Sequence, residues 1–573
     1  MLLRLFANVF RLLLLPLFAV RRARVLRRGA FVHLTIDGAV TDILPEPRFW
    51  ERWQRPRSTS LVDLAALVDE IVRDERARGL LVTLRSYRGG MASATSLRAV
   101  LARLVDAGRE LVVCLPLGAD TKELYVASAA TRLFVGAQAM VAPVGFAMSV
   151  SYVKRALEQV GVEPEVYARG KYKSAGEQLV RDSMSGAQRE QLDAVLDAFY
   201  REVVAAVAKG RKLEPDRVRE LMDGAPYRAE DAVALGLVDG TAYEDEIPAL
   251  IAKSGTPPRG VEAARYLAAI RATHFCPVRA RPCIGVVTVH GAIVSESTFG
   301  QTAATEERVI AAVRLARTDP RIRAVVLHVD SPGGSALASD RMHHEIERLA
   351  AEKPLVACFS DVAASGGYYV SACAHAIVAQ PTTITGSIGV VAARVVIEPL
   401  LSKLGIVTTV LKRGAKADAF HVTRHSSEEE RVAFERELDG MYRSFVSIVA
   451  RGRKRSFDDI ERIAQGRVWS GADGEREGLV DALGGFDVAC ARARTLAAKS
   501  MGPQKASRLE PRVVRGGRHA GPPLDPQAQL AREAAALAVR VSHELCLDES
   551  ITLAFSSRAR VLAWSREANA LAR

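Results

Sequence analysis

The sequence is poor in the residues from which metal and redox sites are built. Its 573 residues include only seven cysteines, with no Cys-x-x-Cys pair and no Cys/His cluster at zinc spacing. That excludes the common structural zinc sites, and no metal or other cofactor is expected. Cys114, Cys358 and Cys373 each stand alone in apolar segments, where a free thiol behaves as a small core residue. Cys276 and Cys283 lie near enough in sequence to pair, but nothing in the pattern requires it. Charge of one sign is scarce in the body of the chain. The formal net charge is +13, yet residues 1–30 hold seven arginines and no acid, and residues 501–573 hold eleven Lys/Arg against seven Asp/Glu. A near-neutral middle with basic ends is not a nucleic-acid footprint. It suits a soluble body held at an anionic membrane surface.

A long uninterrupted apolar run is also lacking. Met1 to Val20 is largely apolar, but Arg4, Asn8 and Arg11 interrupt it at helical spacing. The unbroken part, Leu12 to Val20, is shorter than the roughly 20 residues that span a bilayer. A short tilted anchor, an interfacial amphipathic helix and a signal peptide all fit this composition, as does a buried N-terminal helix. Arginines, rather than small residues, follow the run, which argues against cleavage and favours a cytoplasmic location for that flank.

What the sequence does contain is its own fold twice. Cys114 and Cys358, Tyr125 and Tyr369, Gly145 and Gly389, and Gly170 and Gly414 all stand 244 positions apart. Each copy opens with a strand and a Gly turn, FVHLTIDGAV (31–40) and IGVVTVHGAI (284–293). Then GLLVTLRSYRGG and AVVLHVDSPGG each run into a Gly-Gly turn and a helical pattern, Ser96 to Ala107 and Ser339 to Ala350. A further strand and helix follow, then a long helical stretch, Ala187 to Lys209 and Glu428 to Arg451. Both copies close on Gly-Leu-Val-Asp, at 236–239 and 478–481. Strand–helix alternation with short Gly turns predicts βαβ units around a largely parallel sheet. The expected organisation is a membrane-associating segment (1–30), a first repeat (31–252), a connector (253–283), a second repeat (284–500) and a linker with C-terminal extension (501–573).

The copies differ where chemistry is possible. Ser365, on a Ser-Gly-Gly turn between a strand and a helix, faces Thr121 of the first copy. Lys173 of the first copy faces Ala417 of the second. A serine before a helix is often only its cap, and a lysine in a loop is usually solvated. The repeat nevertheless leaves one hydroxyl nucleophile and one amine base, in opposite halves. The DSPGG turn (330–334) exposes amides, so Gly333 or Gly334, with Gly366 beside the serine, are candidate oxyanion donors; an ordinary strand-to-helix turn would read the same. Ser387, opposite Pro143, is a third candidate, able to orient the amine or to serve only as a turn residue. Among alternative bases, His375 is expected ten residues further along the helix that Ser365 opens, about 15 Å away by helical rise. His328 stays open, as do Lys171 and Lys416. An amine acts as a base only when burial or nearby positive charge lowers its pKa, and Arg169 is a candidate neighbour.

The Asp-Ser-Pro-Gly-Gly turn, Ala-Ala-Ser-Gly-Gly-Tyr-Tyr, Thr-Gly-Ser-Ile-Gly and the first-copy Tyr-Lys-Ser-Ala together resemble the long, duplicated form of the signal peptide peptidase A family over residues 31–500. The resemblance implies tandem duplicated ClpP/crotonase-like α/β domains and a Ser–Lys dyad. Ser365 would be the nucleophile, Lys173 the general base and Ser387 the serine that coordinates the lysine. It further implies an inner-membrane protein with a periplasmic body, assembled as a homotetramer and degrading released signal peptides, an orientation that the arginines after the apolar run do not favour. The expected function is a membrane-associated serine endopeptidase acting on hydrophobic peptides. A crotonase-type acyl-CoA enzyme and an inactive membrane scaffold are the alternatives.

Overall fold

The structure, a computed structural model, describes residues 8, 12–25, 28–43, 59–252, 258, 260–272, 281–296 and 303–516. Residues 1–7 and 9–11 of the N-terminal apolar segment, Cys276 and the C-terminal extension from 517 lie outside the described residues. Among the described residues no helix is long and apolar enough to cross a membrane.

Two compact units emerge. One comprises Met1–Phe146, Asp197–Pro282 and Gln380–Thr382; the other comprises Ala147–Leu196, Cys283–Ala379 and Thr383–Arg573. The units follow packing rather than sequence likeness, so a stretch of the first repeat, 147–196, belongs to the second unit.

In the first unit the β-branched runs form a parallel sheet in the order Gly240–Thr241, Arg132–Val135, Glu110–Leu115, Ala77–Arg88, Ala30–Thr41, Gly260–Glu262. The helix Met91–Asp106 follows the Gly89–Gly90 turn. It buries Leu97, Leu101 and Leu104 in one core with Val82, Leu84 and Leu111 of the strands. Parallel strands need crossover helices, and those helices bury both sheet faces, hence the nearly continuous apolar runs.

The second unit repeats the plan. Its sheet runs Val468–Ser470, Ile384–Gly386, Leu355–Ala364, Ile322–Ser331, Cys283–His290, Glu510–Val513. All pairings along it are parallel except that of Val468–Ser470 with Ile384–Gly386. The helix Ala336–Glu352 buries Met342, Ile346 and Leu349 in one core with Leu327 and Val329 of the strands. The long helices cover Gly186–Arg211 and Glu428–Arg453, slightly beyond the expected ranges.

The Gly-Leu-Val-Asp ending has the same structural use in each unit. Asp239 accepts from the Leu133 amide at 2.7 Å and pairs with Arg211 at 2.6 Å. Asp481 accepts from the Ile377 amide at 2.7 Å and pairs with Arg453. The second unit also contains an antiparallel ribbon that joins sequence-distant segments of the two repeats, Glu163–Arg169 with Val390–Val396, running from Arg169↔Val390 to Glu163↔Val396.

Candidate active site

The ribbon ends where the chemistry-bearing residues begin. Beyond Arg169 the chain turns at Gly170 and the Lys173 amide donates to the Gly170 carbonyl at 3.1 Å. The Tyr172 amide donates to the Gln465 carbonyl at 2.8 Å. Before Val390, the Ser387 amide donates to the Arg467 carbonyl at 2.7 Å. Lys173 and Ser387 are thus both tied to the loop 465–467. Ser365 follows the strand Leu355–Ala364, and its amide donates to the Gly386 carbonyl at 2.9 Å.

These ties bring three side chains of the second unit together. Lys173 Nζ stands 3.0 Å from Ser365 Oγ, 2.9 Å from Ser387 Oγ and 3.1 Å from the Ser387 carbonyl. All three residues are half-buried. Ser365 precedes the helix Gly366–Ser371 but makes no side-chain cap hydrogen bond, so capping does not account for it. Ser365 and Ser387 also share an uncommon backbone state, with φ of 53° and 52°. A non-glycine residue in that region carries strain of order 1–3 kcal/mol, held by its surroundings. Here it turns each hydroxyl toward the same amine.

The glycine turn lies beside the serine. A Cβ on Gly333 would stand 2.6 Å from the Gly366 amide nitrogen and 2.9 Å from Ser365 Cβ. The Gly333 amide is engaged, donating to Ser331 Oγ at 3.2 Å, while the Gly333 carbonyl accepts from Ile293 at 2.8 Å. A Cβ on Gly366 would lie 3.4 Å from the Gly334 nitrogen. The turn therefore converges on the serine through Gly334 and Gly366, with Gly333 as its pivot.

The other candidate bases lie elsewhere. The helix ends at Ser371, so His375 is not on it, contrary to expectation; its ring accepts from the Leu355 amide at 3.2 Å. His328 is buried and meets His290 at 2.7 Å. Lys171 is exposed and lies over the Tyr172 ring, 4.9 Å from its centroid, rather than alongside Lys173. Lys416 is exposed in a turn. Arg169 does not act as a lone positive neighbour. Burial lowers its pKa, but hydrogen bonds to Asp439 and Glu435 outweigh that and hold it raised.

Sequence reasoning missed the group that holds the lysine loop. Gln191, on the helix Gly186–Arg211 and almost fully buried, donates from Nε2 to the Tyr172 carbonyl at 3.0 Å and to Ser174 Oγ at 2.9 Å. Its Oε1 accepts from the Val468 amide at 3.0 Å. One amide therefore grips both neighbours of Lys173 and the strand beyond loop 465–467. Missed as well was the role of Gly389 and Gly466, which line the lysine side chain; a Cβ on Gly389 would lie 3.1 Å from Lys173 Cδ.

Residues 104–255 and 347–500 both match peptidase family S49. The chain belongs to that family. It is 32% identical over 494 residues to the serine protease SPPA, chloroplastic, of Arabidopsis thaliana, covering 83% of this chain and 70% of that one. It is 30% identical over 492 residues to Protease 4 of Salmonella typhi, covering 82% and 78% respectively. Among solved structures, ClpP1 from Listeria monocytogenes is similar at 13% identity and a TM-score of 0.22, over 35% of this chain and 91% of that one. This S49 chain has the long, duplicated signal-peptide-peptidase form, with two matched segments and two like-built parallel sheets, and it is a serine protease. The tandem duplicated α/β architecture expected from the repeat stands, and the acyl-CoA reading is set aside.

Proposed function

We propose that this S49 chain is a serine endopeptidase working through a Ser365–Lys173 dyad. The observation that carries the proposal is the hydrogen-bond arithmetic at Lys173 Nζ. A neutral amine has two N–H donors and one lone pair. The two donors match the Ser387 carbonyl and Ser387 Oγ, and the lone pair is left for the Ser365 hydroxyl 3.0 Å away. In that arrangement Ser387 orients the amine rather than reacting.

Ser365 Oγ attacks the scissile carbonyl as its proton passes to Lys173 Nζ. The carbonyl oxygen becomes an oxyanion held by the Gly334 and Gly366 amides. One such donor typically contributes 10²–10³-fold in rate. The ammonium then protonates the leaving amine, and an ester to Ser365 remains. The same amine activates water to hydrolyse it, returning serine and lysine to their starting states. The substrates in this reading are hydrophobic peptides such as cleaved signal peptides. The setting is the inner membrane with a periplasmic body, and the protein works as a homotetramer.

The test is cleavage of a fluorogenic apolar peptide, paired with labelling by a fluorophosphonate probe. Ser365→Ala abolishes both, Lys173→Ala abolishes cleavage, and Lys171→Ala and Lys416→Ala leave both intact. Full cleavage by Lys173→Ala overturns the dyad.

A further inference from the structure

Arg467, which closes loop 465–467, makes contacts that its counterpart in the other copy has no side chain to make. The closing segments of the copies align 242 positions apart, as Gly-Leu-Val-Asp at 236–239 and 478–481 shows. In that alignment Trp469 corresponds to Tyr227, and Arg467 corresponds to Ala225. The folded chain keeps the correspondence. Trp469 pairs with Thr385 in one antiparallel ladder, and Tyr227 pairs with Val141 in another. Trp469 Nε1 donates to the Ile463 carbonyl at 3.0 Å, and the Tyr227 hydroxyl donates to the Leu221 carbonyl at 2.8 Å. Ile463 and Leu221 are themselves counterparts. Anchoring this ring is therefore common to both copies and belongs to holding the fold.

The arginine is not common to both. Its guanidinium lies over the Trp469 ring, 4.5 Å from the centroid, and over the Tyr172 ring at 4.9 Å, both within the range of cation–π attraction. Nη1 pairs with Glu190 at 2.8 Å, and the Tyr172 hydroxyl donates to the same carboxylate at 3.0 Å. Arg467 Nε is buried with no hydrogen-bond partner. Leaving a buried donor unmatched is unfavourable, so the packing over the rings outweighs it. At the matching positions the other copy has Ala225 for Arg467 and Lys416 for Tyr172. The clamp can be built only once, beside Lys173. Each of its members leads to a reacting group. Tyr172 precedes Lys173 in the chain. The Arg467 carbonyl accepts from the Ser387 amide. Trp469 lies against Gly386, where a Cβ would stand 2.8 Å from the indole Cδ1, and the Gly386 carbonyl accepts from the Ser365 amide.

We propose that Arg467 is a positioning residue for the peptidase reaction: by lying over both Tyr172 and Trp469, its guanidinium sets the separation of Lys173 Nζ from the Ser365 and Ser387 hydroxyls. It acts through the two rings and through its own carbonyl, not on the reacting atoms. The same mismatch between copies that singles out Ser365 and Lys173 singles it out, because a residue needed only for the fold would be needed twice. Arginine suits the task better than lysine. A planar guanidinium lies over aromatic faces while its edge reaches Glu190, whereas an ammonium is a compact point charge. The inference rests on the Ser365–Lys173 dyad of the proposed function and adds what fixes its spacing.

The test uses the full-length chain and cleavage of the fluorogenic apolar peptide. Arg467→Met keeps the length and apolar bulk of the side chain and removes its charge. Its kcat is expected to fall about 100-fold, the loss that goes with a displacement near 1 Å, with KM little changed. The acidic limb of its pH–rate profile should move, because the surroundings of the general base change. Arg467→Lys keeps the charge and is expected to be slower by about tenfold; it carries the test if Arg467→Met does not fold. Tyr172→Leu removes one of the two rings. Because Arg467 acts through that ring, the double variant Arg467→Met/Tyr172→Leu should be no slower than the slower single one. A lowered melting temperature with kcat and the acidic limb unchanged in the Arg467 variants overturns the proposal and leaves the arginine a part of the fold. Losses that multiply in the double variant overturn it as well. Cleavage retained by Lys173→Ala is a separate outcome: it overturns the dyad, and with it the spacing that Arg467 sets.

Discussion

Gly466 lies against Lys173 so closely that a Cβ on the glycine would stand 2.6 Å from Lys173 Cβ and 2.7 Å from its amide nitrogen. The glycine also has φ of 73°, a region where side chains are strained. Gly466→Ala must therefore push the lysine loop outward. A displacement near 1 Å at a reacting group costs on the order of 100-fold in rate, so kcat for peptide cleavage should fall by about that factor. Gly440→Ala is the control, because a Cβ there meets nothing within 4 Å in the helix Glu428–Arg453; its kcat should match the unsubstituted chain. Equal activity in the two variants would show that the lysine loop tolerates displacement.

Gln191 is a positioning residue for the same loop. Replacing its buried amide in Gln191→Leu removes three hydrogen bonds and leaves the Tyr172 carbonyl and Val468 amide without that partner. Each such loss costs about 1–3 kcal/mol. The expected result is a kcat reduced at least about tenfold with KM little changed, and a shifted acidic limb in the pH–rate profile, where the general base must lose its proton, because the amine relocates. Gln191→Glu keeps the acceptor and should recover part of kcat. A purely structural role would lower the melting temperature and leave the pH profile where it was.

The fold was legible in the sequence because its signals are local. Runs such as AVVLHVDSPGG specify a buried strand and its turn within a dozen residues, and the repeat offset supplies the rest. The candidate residues were legible through a different signal, the position-by-position mismatch of two copies. Its limits are physical as well. The ribbon was not read because EPEVYAR, with its proline and two acids, has little strand character; it forms through pairing with Val390–Val396, a segment more than 200 residues away. Gln191 looks like any polar helix residue until the loop it grips is folded. The positive φ values of Ser365 and Ser387 are imposed by their surroundings on residues that do not prefer them. His375 was misplaced because nothing in YYVSACAH marks a helix that stops at Ser371.

The Gly-Leu-Val-Asp motif is expected to act on stability alone. Arg453 is only 8% exposed and Asp481 34%. Removing the carboxylate strands a nearly buried guanidinium, a change that costs about 3–5 kcal/mol when both partners are buried and less where one is partly solvated. Asp481→Ala should therefore lose roughly 2–3 kcal/mol and unfold several degrees lower in calorimetry. Its kcat at a temperature where it is folded should be unchanged, since the pair lies outside the Lys173–Ser365–Ser387 cluster. A large fall in kcat without loss of stability would give the motif a catalytic part.

The ribbon that carries the lysine loop should loosen as pH rises. His425 Nε2 lies 2.7 Å from Glu163 and Nδ1 lies 3.0 Å from Glu165, so the ring bridges two acids of one strand. Burial lowers the His425 pKa, but the bonds to Glu165 and Glu163 outweigh it and the net shift is upward. On Glu165, burial raises the pKa, and Ser426, His425 and the Arg394 guanidinium outweigh that to hold it down. Tyr167 also donates to Glu165, at 3.1 Å. A histidine whose folded pKa is raised contributes its full stabilisation below its unfolded value, about 6.5, and loses it as pH climbs through the higher folded value. Glu165 behaves oppositely and stays ionised throughout that window. Amide exchange at Glu163–Arg169, corrected for its intrinsic pH dependence, should show protection falling between about pH 6.5 and the folded pKa above it. His425→Gln should flatten that dependence. Protection that stays constant through the window in the unsubstituted chain would mean the ring does not hold the strand in its charged form.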